Sequence, residues 1–211
     1  YPLYNLHTYS ALLILQAWRL NLMRIFVFEF ITGGGWYSID PEQAPSGSLL
    51  LEGRAMVESI AEDFAAIGGT HVVRLVDARL NGDGDSPGEI KAILGADDLR
   101  KQFADAAANA DFTLVIAPEF DDHLLDFAEL AIKSGGRLLS PSPEFIRLTA
   151  NKHRTAQWLA NARVPVPHGL LLSPGETVPD DFPFPAVLKP IDGAGSLDVR
   201  RVDSVAQLPL K

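Results

Sequence analysis

Three short runs of β-branched and aromatic residues limit what this chain can fold into: Arg24-Ile-Phe-Val-Phe-Glu-Phe-Ile31, His71-Val-Val-Arg-Leu-Val76 and Phe112-Thr-Leu-Val-Ile-Ala117. Runs of this length and make-up read as buried strands. Segments of helical period lie between them. In Leu49–Ile67 the residues Leu50, Met56, Val57, Ile60, Phe64 and Ile67 fall near a 3.6-residue repeat, and Gly68-Gly69 stops the helix. Asp97–Ala110 is helical on propensity, with Asp97 or Asp98 near its cap. Leu124–Lys133 is a third helix, capped by Asp121 or Asp122 and closed by Gly135-Gly136. Arg137-Leu-Leu139 adds a short fourth strand. Residues 23–143 therefore read β-α-β-α-β-α-β, which predicts an α/β fold with an open parallel sheet flanked by helices.

Composition narrows the function classes. A net charge of −9 argues against general binding to nucleic acid or to an anionic membrane, while leaving a local basic pocket open. The absence of cysteine excludes disulfides, a thiol nucleophile and cysteine-ligated zinc or iron–sulfur clusters, and fits a cytoplasmic protein. Both ends look cut. Residue 1 is Tyr, and Ala11-Leu-Leu-Ile-Leu15 is too short to span a bilayer. The regular pattern starts at Met23, which reads as the natural start. Residues 1–22 then form an upstream extension outside the fold, an interfacial amphipathic helix being the alternative. The other end stops at Leu208-Pro-Leu-Lys211 without a closing element, so the chain reads as a fragment.

The residues with chemical potential fall at strand exits, where α/β sheets bind ligands. Gly33, Gly34 and Gly35 follow the first strand. Their spacing fails the dinucleotide fingerprint, which keeps a nicotinamide oxidoreductase as a minor rival. A turn that closes over substrate is the functional reading. Glu119 follows the third strand and is a candidate contact for a substrate amine; a solvated loop acid is the bland alternative. Asn81-Gly-Asp-Gly-Asp-Ser-Pro-Gly88 looks calcium-like, but the sixth and twelfth positions of the EF-hand template hold Ser86 and Ala92, so the loop is read as merely polar. Ala186–Leu188 reads as a strand running into Lys189, followed by Gly193, Ala194, Gly195 and Ser196. An ammonium beside glycines whose amides can approach closely suits a phosphate. Lys152 lies earlier, within one or two helices spanning Glu144–Ala162. Gly169-Leu-Leu-Leu172 is strand-like. Two lysines on separate elements can hold different phosphates of one nucleotide. Arg154 is a weaker candidate for the same anion, and His153 and His168 read as surface residues.

In that order, these pieces resemble the ATP-grasp superfamily. The carriers are the α/β front, Leu148-Thr-Ala-Asn-Lys-His-Arg-Thr155, the break Ala162-Arg-Val-Pro-Val-Pro167, and Pro185-Ala-Val-Leu-Lys-Pro190 with its small-residue loop. The resemblance implies a pre-ATP-grasp domain over residues 23–143 and the first, truncated part of an ATP-grasp domain over 144–211. It implies Lys152 and Lys189 as the nucleotide-binding lysines and Gly193, Ala194, Gly195 and Ser196 as the loop over the β- and γ-phosphates. Asn151 stands where the family often has aspartate. Met23–Gly35 and Ile116–Glu119 are similar to the tyramine–glutamate ligase group, which serves methanofuran-type C1 cofactor synthesis. The implied reaction is ATP-dependent carboxylate–amine ligation through an acyl phosphate, with small-molecule amine and carboxylate substrates and possible homodimers. Mg²⁺ is implied as well, with its ligands beyond Lys211 and none in this chain, so the fragment alone is expected to be inactive. The rival reading is a non-catalytic nucleotide-binding or dimerisation module.

Overall fold

The structure, a computed structural model, describes residues 22–80, 87–173, 175–193 and 198–208. The chain divides into two compact units. One reaches to Ile116 and takes in Leu130–Ser140; the other comprises Ala117–Glu129 and the residues from Pro141 onward. A single boundary in sequence does not express this division, because Ala117–Glu129 groups with the later residues.

The first unit is built on a parallel sheet of β1 (Met23–Glu29), β2 (Thr70–Asp77), β3 (Glu89–Ile93) and β4 (Phe112–Ile116), in the order β3-β2-β1-β4. The central strand is apolar on both faces. Ile25 and Val27, with Val72 of β2, pack against Val57 and Ala61 of helix α1 (Gly47–Ala66). On the other face, Phe26 and Phe28 meet Phe103 of α2 (Ala96–Ala108) edge to face, with ring centroids 5.1 and 5.0 Å apart. A parallel strand covered by helices on both sides reads as a continuous hydrophobic run, which is why β1 is legible in sequence. Each fully buried phenylalanine contributes about 1.5–3 kcal/mol.

Several expectations are corrected. The β-α-β-α-β-α-β reading misses β3, which directly follows the 81–88 loop and pairs with β2 from Val73↔Glu89 to Asp77↔Ile93. Its sequence, Glu-Ile-Lys-Ala-Ile, is charged and half-exposed because it forms the sheet edge, so neither propensity nor an apolar run marks it. Arg137–Leu139 makes only one bridge, Leu138 to Thr113, rather than a strand. Asp97 and Asp98 do stand near the cap of α2, in the first turn after Gly95, and the carboxylate of Asp98 accepts from the amide of Leu94 at 3.0 Å. Helix α3 (His123–Lys133) follows a 3₁₀ turn at Phe120–Asp122. Asp121 and Asp122 there adopt left-handed φ of 51° and 57°. The amide of Leu124 donates to the carbonyl of Pro118 at 3.0 Å. Among the described residues, neither aspartate takes a helix amide.

The second unit contains two short helices, α4 (Pro143–Thr149) and α5 (Lys152–Asn161), and an antiparallel hairpin of β5 (Ala186–Leu188) and β6 (Arg200–Val202). The strand limits of β5 agree with the sequence reading. Gly169–Leu172 is not a strand. Among the described residues no helix is long and apolar enough to cross a membrane.

Gly35 tests the packing of the first unit. A Cβ there would lie 2.3 Å from a ring carbon of the buried Phe30. Gly35→Ala is expected to destabilise by about 1–3 kcal/mol, read as a lower urea midpoint. Gly68→Ala, where a methyl meets nothing within 4 Å, should shift stability by less than about 0.5 kcal/mol.

Candidate phosphate site and the carboxyl edge of the sheet

In the second unit the local sequence fixes where each cation sits. Ser142 caps α4 ahead of Pro143 at its first turn, and its Oγ accepts from the amide of Phe145 at 3.3 Å. Asn151 then breaks the helical path and caps α5, its Oδ1 accepting from the amide of Arg154 at 2.9 Å. Asparagine and aspartate are equally good at this position, so the departure at Asn151 leaves the cap intact. Lys152 is therefore the first residue of α5, not an interior one.

From there it reaches the connection after β5. The backbone amide of Lys152 donates to the carbonyl of Ile191 at 2.9 Å. Its Nζ donates to the carbonyls of Asp192 at 2.6 Å and Gly193 at 2.7 Å. Lys152 and the connection that begins with Lys189 are thus brought together across about forty residues of sequence. Lys189 is exposed directly after β5. Gly193 has φ of 81°, a conformation that favours glycine. Ala194, Gly195 and Ser196 lie outside the described residues, as does the 81–86 part of the calcium-like loop. Arg154 is exposed on α5. Strand pairing adds a residue that sequence reasoning missed: Arg200 of β6 sits opposite Leu188, next to Lys189. No sequence signal marks β6, whose residues are charged and mostly exposed.

The carboxyl edge of the sheet in the first unit is locked internally. Glu29 is 2% exposed. Its carboxylate accepts from the amides of Ile31 (3.0 Å) and Thr32 (2.7 Å) and from the Thr32 hydroxyl (2.8 Å). Burial nevertheless pushes its pKa up, outweighing those hydrogen bonds. Gly33, Gly34 and Gly35 are buried. A Cβ on Gly33 would meet the Glu29 carbonyl at 2.5 Å, and one on Gly34 would meet Ile93 at 2.7 Å. A 3₁₀ turn, Gly35–Ser38, follows in place of the helix start that a dinucleotide fold requires. Next to it, fully buried Asp77 receives the guanidinium of Arg79, with Nε at 3.0 Å and Nη2 at 2.7 Å. Arg79 also donates to the Asp40 carbonyl at 2.9 Å and lies 3.6 Å from the centre of the Tyr37 ring. Burial and the Asp77 charge raise the Tyr37 pKa. This cluster fastens the 33–40 loop to β2.

Glu119, in the second unit, stands half-buried just before the Phe120–Asp122 turn. Among the described residues no group of three His, Asp or Glu side chains suits a metal ion.

Comparison with known proteins fits this architecture. Residues 70–146 match the family model described as the pre ATP-grasp 3 domain. No curated protein matches. A solved structure from Archaeoglobus fulgidus, provisionally assigned to the ATP-grasp superfamily, superposes with a TM-score of 0.56 at 20% identity. The match covers 87% of this chain and 50% of that one, so the chain spans half the length of its structural relative.

Two substitutions test the locked edge. Arg79→Ala leaves the Asp77 carboxylate buried without its partner and should cost about 3–5 kcal/mol, measured by denaturant unfolding. For Glu29, a raised folded pKa means that the native state holds the proton longer than the unfolded chain. Stability from this group should fall as pH rises from the unfolded value near 4.5 through the raised folded value. Glu29→Gln should flatten that slope in unfolding curves collected across the window. In fold, the chain is an α/β protein with a parallel four-stranded sheet; residues 70–146 are similar to the pre ATP-grasp 3 domain, and the likeness to the solved structure is one of fold.

Proposed function

We propose that this chain supplies nucleotide-phosphate contacts for an ATP-dependent carboxylate–amine ligase. The observation that carries the reading is the hydrogen bonding of Lys152 Nζ to the Asp192 and Gly193 carbonyls, in the connection that starts at Lys189. It brings one predicted cation against the predicted phosphate loop and fits the similarity to the pre ATP-grasp 3 domain.

In the reaction, a substrate carboxylate oxygen attacks the γ-phosphorus of ATP and ADP leaves. The amine nitrogen then attacks the acyl carbon, phosphate departs and the nitrogen loses a proton. Phosphoryl transfer of this kind depends on positioning and charge neutralisation more than on a protein nucleophile. Lys189, exposed and biased toward an extended backbone by the proline that follows it, offers a point charge to the polyphosphate. Lys152 is the second cation assigned to the polyphosphate; without nucleotide its ammonium is bonded to the Asp192 and Gly193 carbonyls. Glu119 is assigned to the substrate amine. Glutamate as the acid and tyramine as the amine follow from the similarity of Met23–Gly35 and Ile116–Glu119 to the tyramine–glutamate ligase group. Mg²⁺ would neutralise charge on the triphosphate when bound.

Isothermal titration with ATP tests the reading. Lys189→Ala is expected to weaken ATP binding at least tenfold, a loss of about 1.4 kcal/mol. Unchanged affinity in that variant would remove Lys189 from the site.

A further inference from the structure

Lys152 directs its hydrogen bonds at three successive carbonyls of one connection. Its amide bonds the Ile191 carbonyl at 2.9 Å, and its ammonium bonds those of Asp192 at 2.6 Å and Gly193 at 2.7 Å. The first amide of a helix has no partner within the helix, so the bond to Ile191 is a docking contact. Gly193 has φ of 81°, which turns the backbone as its carbonyl and that of Asp192 meet the same ammonium. Both oxygens are neutral acceptors. A phosphate oxygen carries a negative charge, so the ammonium gains a Coulomb attraction there that neutral carbonyl oxygens do not offer.

We propose that Lys152 is a latch. Without nucleotide, its ammonium holds residues 191–193 against the start of α5. With nucleotide, the ammonium turns from the carbonyls to phosphate and the segment is released. Nucleotide occupancy and the position of residues 191–193 are then linked through one side chain. Lys152 acts here as a positioning residue as well as a ligand. The first half stands on the hydrogen bonds alone; the second half rests on the proposed phosphate site.

The backbone amide of residue 152 is the natural reporter, because its bond to Ile191 exists only while the segment is docked. Hydrogen exchange at this amide is measured by NMR on the whole chain. Lys152→Met keeps the amide and the apolar stem but removes the ammonium. The amide of residue 152 should exchange at least tenfold faster in this variant, with Val27 in the sheet unchanged. Gly193→Ala, where an added methyl meets nothing within 4 Å but φ is unfavourable, should show the same acceleration. Unchanged exchange in both variants would overturn the latch. Saturating ATP should also accelerate exchange at Lys152 in the unsubstituted chain, and slower exchange with ATP bound would overturn the release step. If titration shows that the unsubstituted chain binds no ATP, the phosphate reading and the release step both fall, while the nucleotide-free comparison still decides whether Lys152 holds the segment.

Discussion

The first unit depends on one constraint: β1 must be covered on both faces. Its aliphatic residues need α1 and its phenylalanines need α2, and a parallel strand covered in this way has to lie inside the sheet. This fixes where the carboxyl end of β1 emerges. The chain leaves the sheet through a turn whose side-chain acceptor is Glu29 and whose three glycines leave no room for a Cβ. Further along the edge, the Asp77–Arg79 pair and the Tyr37 ring hold the loop after that turn. The result is a rigid edge whose polar groups are largely committed to one another. Glycines after a first strand suggest a mobile or ligand-binding turn, and here they are better explained as close packing.

The second unit is organised differently. Its helices are short, its hairpin has three residues per strand, and few of its side chains are fully buried. Specific hydrogen bonds place its parts: the caps at Ser142 and Asn151, the Thr155 hydroxyl on the Leu148 carbonyl, and Lys152 on the connection after β5. Segments with few apolar contacts open at low free-energy cost. A site on such a unit can change shape when a charged ligand competes for one of its bonds. That makes a lysine bonded to carbonyls a more informative contact than a lysine pointing into solvent.

Much of this was legible in the sequence, for physical reasons. β1, β2 and β4 could be read because burial imposes apolar runs, and α1 because one-sided burial imposes a 3.6-residue period. β5 could be read from three apolar residues ending in Lys189. β3 and β6 were hidden, because an edge strand and an exposed hairpin strand need neither pattern. The candidate site was legible as residue types but not as contacts. Two lysines and a glycine-bearing loop suggested phosphate chemistry; only the structure shows that Lys152 opens a helix and bonds the loop itself. Arg200 beside Lys189 depends on a strand pairing that no local signal encodes.

The central claim is that nucleotide phosphate binds where α5 meets the connection after β5. The most direct test is a titration of the isotopically labelled chain with ATP, recording amide chemical shifts residue by residue. The largest changes are expected to cluster at Lys152 and from Lys189 to Gly193, and adenosine without phosphates is expected not to reproduce them. Changes confined to Gly33–Gly35 and Tyr37, or no change at Lys152 and Lys189 at saturating ATP, would contradict it.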